Sequence, residues 1–512
     1  MTEPANSGAF FSRDAMSSVP WLLVGKLLTF FLYFVISIFI VRGLGPTNYG
    51  IYSLLSSIAD YFMVICAMGL NTALLRFVPE LIRDKNRPGL KRFLRNSLFL
   101  QLAALTGLGL TAYIFSSSLG ELFHIPFSIY IAALLFFTGM LLTKEYLNNL
   151  FTALFMARFL AITSVGQALL FLGWLLWLGH TDSYGVNAVL IAYSSSIAAM
   201  AVISLIKLKR YLSVWEANTS LPGIGRGRVL RLTLPMMFNA MTNKLLQQYS
   251  EIFFLGYFVT PAMVGYYSLG FTLANLLLNF VPMALHTLFT SAFAEAYTRN
   301  KESIADLTKG VYQVLILVTV PLACFGFFFS PATVVVVYGK DMAPAGPIAS
   351  FFSLFQLLPM IWIPLSMAIT AVEKVGETMW LNAVQLVVNL ILDYFLIKYF
   401  FLVGAMAAKA LTFVITLPLK IIVIRRLVGG IYLPISFLAR IFVTAFALAG
   451  MLYYIWPRPN LLGLFGLAFL YALIGIIVVK IFKIIRPADI ERFRTIDIKP
   501  LNKAFDFLTG VK

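Results

Sequence analysis

Long apolar runs recur along this chain from end to end, and they constrain its fold more than any other feature of the sequence. Many exceed roughly 18 residues, the length at which an α-helix crosses the hydrocarbon core of a bilayer. A helix satisfies its own backbone hydrogen bonds there, so repeated apolar runs predict repeated helical spans. With 60% hydrophobic and 12% charged residues, the sequence predicts an all-α polytopic membrane protein.

Gly and Pro residues punctuate the apolar sequence and divide it into about fourteen predicted transmembrane helices. The predicted spans lie at 20–41, 49–70, 95–117, 126–147, 152–178, 185–206, 232–258, 263–288, 308–330, 346–371, 378–400, 403–424, 435–456 and 461–482. Residues 1–18 are polar and carry no cleavage signature, so the first span is predicted to be retained rather than removed as a signal peptide.

Lys and Arg residues are distributed unevenly between the predicted loops. Most of the 39 lie in one alternate set of loops and in both termini, whereas the opposite loops hold only Arg42, Lys340, Lys398 and Arg458. This positive-inside pattern predicts a multi-pass protein of the cell (inner or plasma) membrane with both termini in the cytoplasm. The net charge of +18 then reflects topology and attraction to membrane lipids, and no nucleic acid partner is expected.

Part of the sequence is duplicated. Residues that recur at an offset of 215 positions are Pro46 with Pro261, Gly50 with Gly265, Tyr52-Ser53-Leu54 with Tyr267-Ser268-Leu269, Thr72 with Thr287, and Glu80 with Glu295. The shared offset indicates an internal duplication of six spans that run in the same direction in both copies. Such a duplication predicts two parallel six-helix lobes around a central cleft, with two extra C-terminal helices outside the repeat.

The duplication also predicts how the chain is divided. The predicted parts are a cytoplasmic N-terminus (1–19), an N-lobe (20–206), a basic cytoplasmic linker (207–231), a C-lobe (232–424), the last two spans (435–482) and a basic cytoplasmic tail (483–512). The linker and the tail are amphipathic in places, which is typical of helices that lie on the surface of a membrane.

Polar residues recur at helical spacing inside several apolar spans. The stripes are Lys26, Thr29, Tyr33 and Ser37 in the first span, Asn239, Asn243, Gln247 and Glu251 with Lys244 in the seventh, Asn275, Asn279 and His286 in the eighth, and Asn382, Gln385, Asn389 and Asp393 in the eleventh. Asp60 lies near the middle of the second span. An ionisable group within a bilayer normally faces a cavity or a partner, although Asn and Gln also join helices by interhelical hydrogen bonds.

Two intramembrane lysines occupy related positions in the repeat. Lys26-Leu27-Leu28 matches Lys244-Leu245-Leu246, which predicts two cations facing each other across the cleft. A site of this kind suits an anionic head group such as a pyrophosphate. For Lys26, six residues into its span, snorkelling to the interface is the alternative.

The sequence contains no motif for ATP hydrolysis or for zinc or serine hydrolysis. Cys66 and Cys324 lie singly inside apolar runs, where buried hydrophobic cysteines are expected. We therefore predict a protein that is not an enzyme, with no catalytic residue, no metal and no cofactor.

One segment resembles a known family. The run Arg42-x-Leu44-Gly45-Pro46-x-x-Tyr49-Gly50, followed by Gly69-Leu70-x-x-Ala73-x-x-Arg76, resembles the signature of Wzx-type polysaccharide flippases. That family shares a superfamily with MATE multidrug exporters and the lipid II flippase, and the resemblance extends over about 20–485. It implies a fourteen-helix fold with a central cationic cavity. It also implies transport of undecaprenyl-pyrophosphate-linked glycans to the outer leaflet by alternating access, driven by an H+ or Na+ gradient, for surface polysaccharides such as O-antigen.

These observations favour a flippase for lipid-linked oligosaccharide. Lys26 and Lys244 are expected to hold the pyrophosphate, and Asp60, Glu251 and Asp393 are the coupling-ion candidates. The expected sugar contacts are Asn243, Gln247, Asn275, Asn279, Gln385 and Asn389. The alternatives are a MATE-like drug or cation antiporter, and a membrane glycan polymerase or glycosyltransferase, for which the short outer loops offer only Glu121, Asp182 and Asp341.

Overall fold

A computed structural model describes residues 7–181, 183–213, 224–299, 303–371, 375–428 and 433–481, together with most of their side chains. Within these ranges every regular element is helical. The predicted tail (483–512) and the middle of the predicted linker (214–223) lie outside the described residues.

The α-helices vary widely in length, because some continue through more than one predicted span. They are α1 (Ser7–Ala67), α2 (Leu70–Arg83), α3 (Arg87–Ile114), α4 (Ser116–Phe123), α5 (Phe127–Ala153), α6 (Ala157–Leu178), α7 (Val186–Ser213), α8 (Arg226–Lys244), α9 (Ser250–Phe258), α10 (Pro261–Arg299), α11 (Ser303–Tyr338), α12 (Ala345–Phe355), α13 (Leu357–Met360), α14 (Trp362–Ala371), α15 (Val375–Val428), α16 (Ile435–Ile455) and α17 (Leu461–Ile481). A π-helical turn, Leu245–Tyr249, joins α8 to α9, and a short 3-10 turn, Lys340–Met342, precedes α12.

The described helices cover the predicted spans, although one helix does not always equal one span. Ten of them are long and apolar enough to cross a membrane. Two of these, α1 and α15, each contain two predicted spans joined at a kink, which falls at Gly45 in α1 and at Phe401 in α15. The continuous segment from α8 to α9 matches the seventh predicted span, and α10 matches the eighth. The predicted all-α polytopic fold is confirmed.

The chain divides into two compact units, Met1–Val264 and Gly265–Lys512. In the first unit, α1 packs on α5, α6 and α7, while α2 packs on α5 and α8. The buried residues of α2 recur at helical spacing: Leu70, Ala73, Leu74, Phe77, Val78 and Leu81. This apolar stripe faces the core of the unit because burying it removes the hydrophobic face of an otherwise polar helix from water.

In the second unit, α11 is the central helix and packs on α12, α14, α16 and α17. Its buried core includes Val311, Leu315 and Phe329 from α11, with Ile441 and Ala449 from α16. The tenth predicted span is broken into α12, α13 and α14.

Two glycines in the first unit are required by the backbone. Gly45 has φ 69° and turns the chain inside the Arg42–Gly50 signature, between the first and second predicted spans. Gly69 also has φ 69°, and a Cβ at this position would lie 2.2 Å from the Thr233 carbonyl oxygen on α8. The signature residues that resemble the flippase family thus include two that shape the backbone.

The structure differs from the sequence-based prediction in two ways that affect the site. First, α5 continues to Ala153 instead of ending near 147, so Lys144 lies well inside the helix and not near its end. Second, α8 and α9 belong to the unit Met1–Val264, although the repeat assigns them to the second lobe. The reason is packing: α8 contacts α1 and α2, and α9 contacts α1 and α4. The predicted lobes and central cleft stay a prediction.

Candidate functional site

An ion pair lies within the membrane-spanning part of the first unit. Lys244, the last residue of α8, has its Nζ 3.5 Å from Oδ2 of Asp60 in the second half of α1. The two side chains are 27% and 28% exposed. The Tyr249 hydroxyl donates a short hydrogen bond to the same carboxylate oxygen. We call these three residues the Asp60 centre.

The π-helical turn explains how two residues of one helix reach the same carboxylate. Lys244 and Tyr249 are five positions apart, which in an α-helix at about 100° per residue would separate their directions by about 140°. A π-turn forms i→i+5 hydrogen bonds, so residues five apart lie on the same side. The turn spans Leu245–Tyr249, and the Lys244 Nζ lies 5.4 Å from the centre of the Tyr249 ring.

This turn also interrupts the polar stripe that the sequence predicts along the seventh span. Asn243 is half-buried, Gln247 is exposed and Glu251 is completely buried. The stripe therefore does not present one uniform face, because the predicted four-residue spacing assumes a regular α-helix throughout.

Lys26 lies elsewhere on the first unit. Its side chain is exposed, next to Leu27 and Leu28, which are 49% and 45% exposed. Both candidate lysines belong to the unit Met1–Val264. Two cations facing each other across the cleft stay a prediction. Measured along the helix from Gly45 at 1.5 Å per residue, Lys26 lies about 28 Å away and Asp60 about 22 Å away.

The other candidate residues belong to the second unit. Asn389 and Asp393, one turn apart on α15, are completely buried, and the Asn389 Nδ2 donates to Asp393 Oδ2 at 2.6 Å. Asn275 and Gln385 are half-buried. The side chain of Asn279 lies outside the described residues. Asn389 and Asp393 thus form one local polar pair within an apolar helix.

A second ion pair joins α2 to α8 outside the predicted spans. The Arg228 guanidinium donates to both oxygens of Glu80, at 2.8 and 3.0 Å, and lies 5.2 Å from the centre of the Phe77 ring. These hydrogen bonds and the negative charge of Glu80 raise the pKa of Arg228. The sequence shows Glu80 only as the repeat mate of Glu295, whereas the structure places it between two helices.

An apolar groove runs between α11, α16 and α17 in the second unit. Its cavity volume is about 590 Å³, and its walls include Pro321, Phe325, Leu448, Tyr471 and Ile476. Walls of this composition suit a lipid chain rather than a polar ligand.

Sequence reasoning identified Lys244 and Asp60 separately but missed their pairing and the part of Tyr249. The two charged residues are 184 positions apart, which differs from the repeat offset of 215, so the duplication does not relate one to the other. The available signal was that each is an intramembrane charge of opposite sign, which makes the other a possible partner.

Comparisons with known proteins place the chain in a family. Residues 16–289, more than half of the chain, match the family described as polysaccharide biosynthesis protein. A probable low-salt glycan biosynthesis flippase, Agl15 from Haloferax volcanii, is 22% identical over 384 residues, which cover 74% of this chain and 76% of that protein.

Solved structures share the fold. The lipid II flippase MurJ in an inward closed conformation superimposes with a TM-score of 0.72 at 12% identity, covering 90% of this chain and 98% of that one. An inward-facing multidrug resistance MATE transporter of the MOP superfamily gives a TM-score of 0.57 at 15% identity, covering 78% and 95%. Because the family match covers more than half of the sequence, the chain belongs to the polysaccharide biosynthesis protein family.

Proposed function

We propose that this protein moves a lipid-pyrophosphate-linked oligosaccharide from the inner to the outer leaflet of the cell membrane by alternating access coupled to an H+ or Na+ gradient. The observation that supports this function most is the Asp60 centre, in which a lysine and a carboxylate are paired within the membrane-spanning region and remain partly exposed. Family membership and the likeness to a probable glycan biosynthesis flippase support the substrate class.

In this proposal Lys244 pairs with either of two anions, the Asp60 carboxylate or the pyrophosphate of the substrate. In the structure its ammonium is held by Asp60 at 3.5 Å. A pyrophosphate that approaches the same ammonium competes with the carboxylate, because two anions close to one cation repel each other. Substrate binding by Lys244 therefore requires that the charge on Asp60 be neutralised or that its carboxylate move away.

A coupling cation supplies that neutralisation. A proton or Na+ bound at Asp60 cancels its charge and releases Lys244 for the pyrophosphate. The Tyr249 hydroxyl, which donates to the same carboxylate, keeps Asp60 in position while Lys244 is released. Cation and anionic substrate then bind in a mutually dependent way, which is the thermodynamic requirement for coupled transport.

The remaining candidates have supporting roles in this proposal. Lys26 is a second, exposed cation of the same unit, and the exposed amide of Gln247 is accessible to sugar hydroxyls, with the half-buried Asn243 one turn before it. In the second unit, Asn275, Asn279, Gln385 and Asn389 are the proposed sugar contacts. Glu251 and Asp393, both completely buried, are further coupling-ion candidates.

The test is replacement of Lys244 by Ala in cells, followed by measurement of surface glycan and of protein in the membrane. We expect glycan export to fall at least tenfold while the protein level stays normal. The matched control is Lys91→Ala, which removes an exposed lysine of α3 in the same unit and should leave export unchanged. Normal export by Lys244→Ala would remove this residue from the mechanism.

A reconstituted assay separates the flippase from the antiporter alternative. Purified protein in vesicles should move a lipid-pyrophosphate-linked sugar to the opposite leaflet when a cation gradient is imposed, without changing the length of the glycan. Export of cationic drugs without lipid movement would favour a multidrug transporter, and a change in glycan length would favour a polymerase.

A further inference from the structure

A further lysine, Lys144 on α5, lies inside the helix bundle of the first unit. Its Nζ donates to the Tyr193 hydroxyl on α7 at 3.2 Å and to the Tyr33 hydroxyl on α1 at 3.5 Å. The two hydroxyls lie 3.4 Å apart, and the ammonium lies 5.4 and 5.8 Å from the two ring centres. Three helices thus fix the position of one positive charge.

The groups around this charge are neutral. Among the side chains that the structure describes, Lys144 has no ion pair within 4 Å. The adjacent acid, Glu145, accepts a hydrogen bond from Asn149 Nδ2 at 3.0 Å. A cation held within a bilayer by phenols alone is costly, and a nearby anion lowers that cost.

A small cavity opens beside the ammonium between α5, α6 and α7. Its volume is about 30 Å³, and its polar lining consists of Lys144, Asn148, Thr163, Ser164, Gln167 and Ser204. The volume takes one compact group, not a sugar ring. The cavity shares no residue with the Asp60 centre.

Gln167 supplies the second observation that indicates an anion. It is only 3% exposed, it lies near the Tyr33 and Tyr193 hydroxyls, and its buried amide nitrogen makes no hydrogen bond of normal geometry. Buried N–H donors are almost always satisfied, so this amide is suited to an acceptor that enters the cavity. Because an ammonium and an unsatisfied amide face the same cavity, the missing partner is an acceptor that carries negative charge.

We propose that this cavity binds a single phosphate group, held by the Lys144 ammonium and the Gln167 amide. A tetrahedral phosphate offers several acceptor oxygens to these donors from α5 and α6, and it fits a volume of this size. Its source is either free phosphate or the head group of an anionic phospholipid. Exposed apolar residues, Ile162 at 67% and Ile203 at 47%, directly adjoin lining residues in sequence and provide contact for acyl chains.

The experiment uses the purified full-length protein and two probes, inorganic phosphate and a short-chain phosphatidic acid. Binding is measured by the concentration dependence of the thermal unfolding midpoint and by native mass spectrometry. In Lys144→Gln we expect affinity for the probe to fall at least tenfold. The matched control, Lys207→Gln, removes an exposed lysine of α7 and should change affinity less than twofold.

A second variant tests the proposal even if Lys144→Gln does not fold normally. Gln167→Glu keeps the shape of the side chain and places a carboxylate beside Lys144 as an internal counter-ion. We expect the affinity of this variant for phosphate to fall at least tenfold. Its thermal unfolding midpoint without probe should be equal to or above that of the wild type.

The outcomes separate the two sources. Binding of both probes with the expected loss in the variants supports a phosphate site open to either source, whereas binding of the lipid probe alone supports a head-group site. Absence of binding by both probes in the wild type, or equal binding in wild type and Lys144→Gln, overturns the proposal. Loss of transport is not the readout, so failure here leaves the proposed flippase function to its own test.

Discussion

Neutralising Asp60 should tighten the binding of pyrophosphate by this protein. The carboxylate lies 3.5 Å from the Lys244 ammonium, and both side chains are about a quarter exposed. At an effective dielectric constant of about 20, the direct attraction over that distance is about 5 kcal/mol. Solvation of the separated charges cancels most of this, which leaves a net coupling of about 1–2 kcal/mol for a partly exposed pair. Asp60→Asn therefore should strengthen binding of an anion to Lys244 by roughly 5- to 30-fold.

The assay is a titration of the purified protein with a soluble prenyl pyrophosphate, followed by transport in vesicles with and without a cation gradient. Asp60→Asn should bind the probe more tightly and lose the dependence of transport on the gradient. The double variant with Lys244→Gln should bind as weakly as Lys244→Gln alone, because the carboxylate acts through the lysine. Glu121→Gln, which neutralises an exposed acid of α4, is the control.

Weaker or unchanged binding in Asp60→Asn would refute the competition between carboxylate and pyrophosphate. A gradient dependence that persists in this variant would show that the coupling cation binds at another residue.

Three further predictions concern the turns and pairs around the site. Gly69→Ala should lower the free energy of unfolding by about 2–4 kcal/mol, because the residue has a left-handed backbone conformation and the added Cβ would clash with a carbonyl oxygen on α8. The control Gly173→Ala, which has open space around it, should change the thermal unfolding midpoint little. Tyr249→Phe removes the hydrogen bond to Asp60 but keeps the ring, so we expect normal protein levels with a several-fold slower coupled transport in vesicles; an unchanged rate would show that the hydroxyl has no positioning role. Glu80→Gln breaks an exposed salt bridge to α8, so its small loss of thermal stability should be visible at low salt and disappear at high salt, and a loss that is independent of salt would contradict a screened ion pair.

The helical architecture is determined largely by local sequence. A segment in hydrocarbon must satisfy its backbone within itself, so the length and spacing of apolar runs are sufficient to predict the spans. The same holds for the turn at Gly45, because a Gly-Pro pair between two apolar runs both ends one helix and begins the next. The signature residues lie in the same segment, and the comparisons place the chain in the polysaccharide biosynthesis protein family.

The arrangement of charges was decided by tertiary structure. Lys244 and Asp60 are distant in sequence, and they meet only because α8 packs on α1 and because a π-turn replaces the regular spacing after Lys244. The same is true of Lys144, whose partners come from α1 and α7 and whose helix continues beyond the predicted end of its span. Hydrophobicity acts on each segment separately and can be read along the chain, whereas the partner of a buried charge depends on which faces of different helices come into contact.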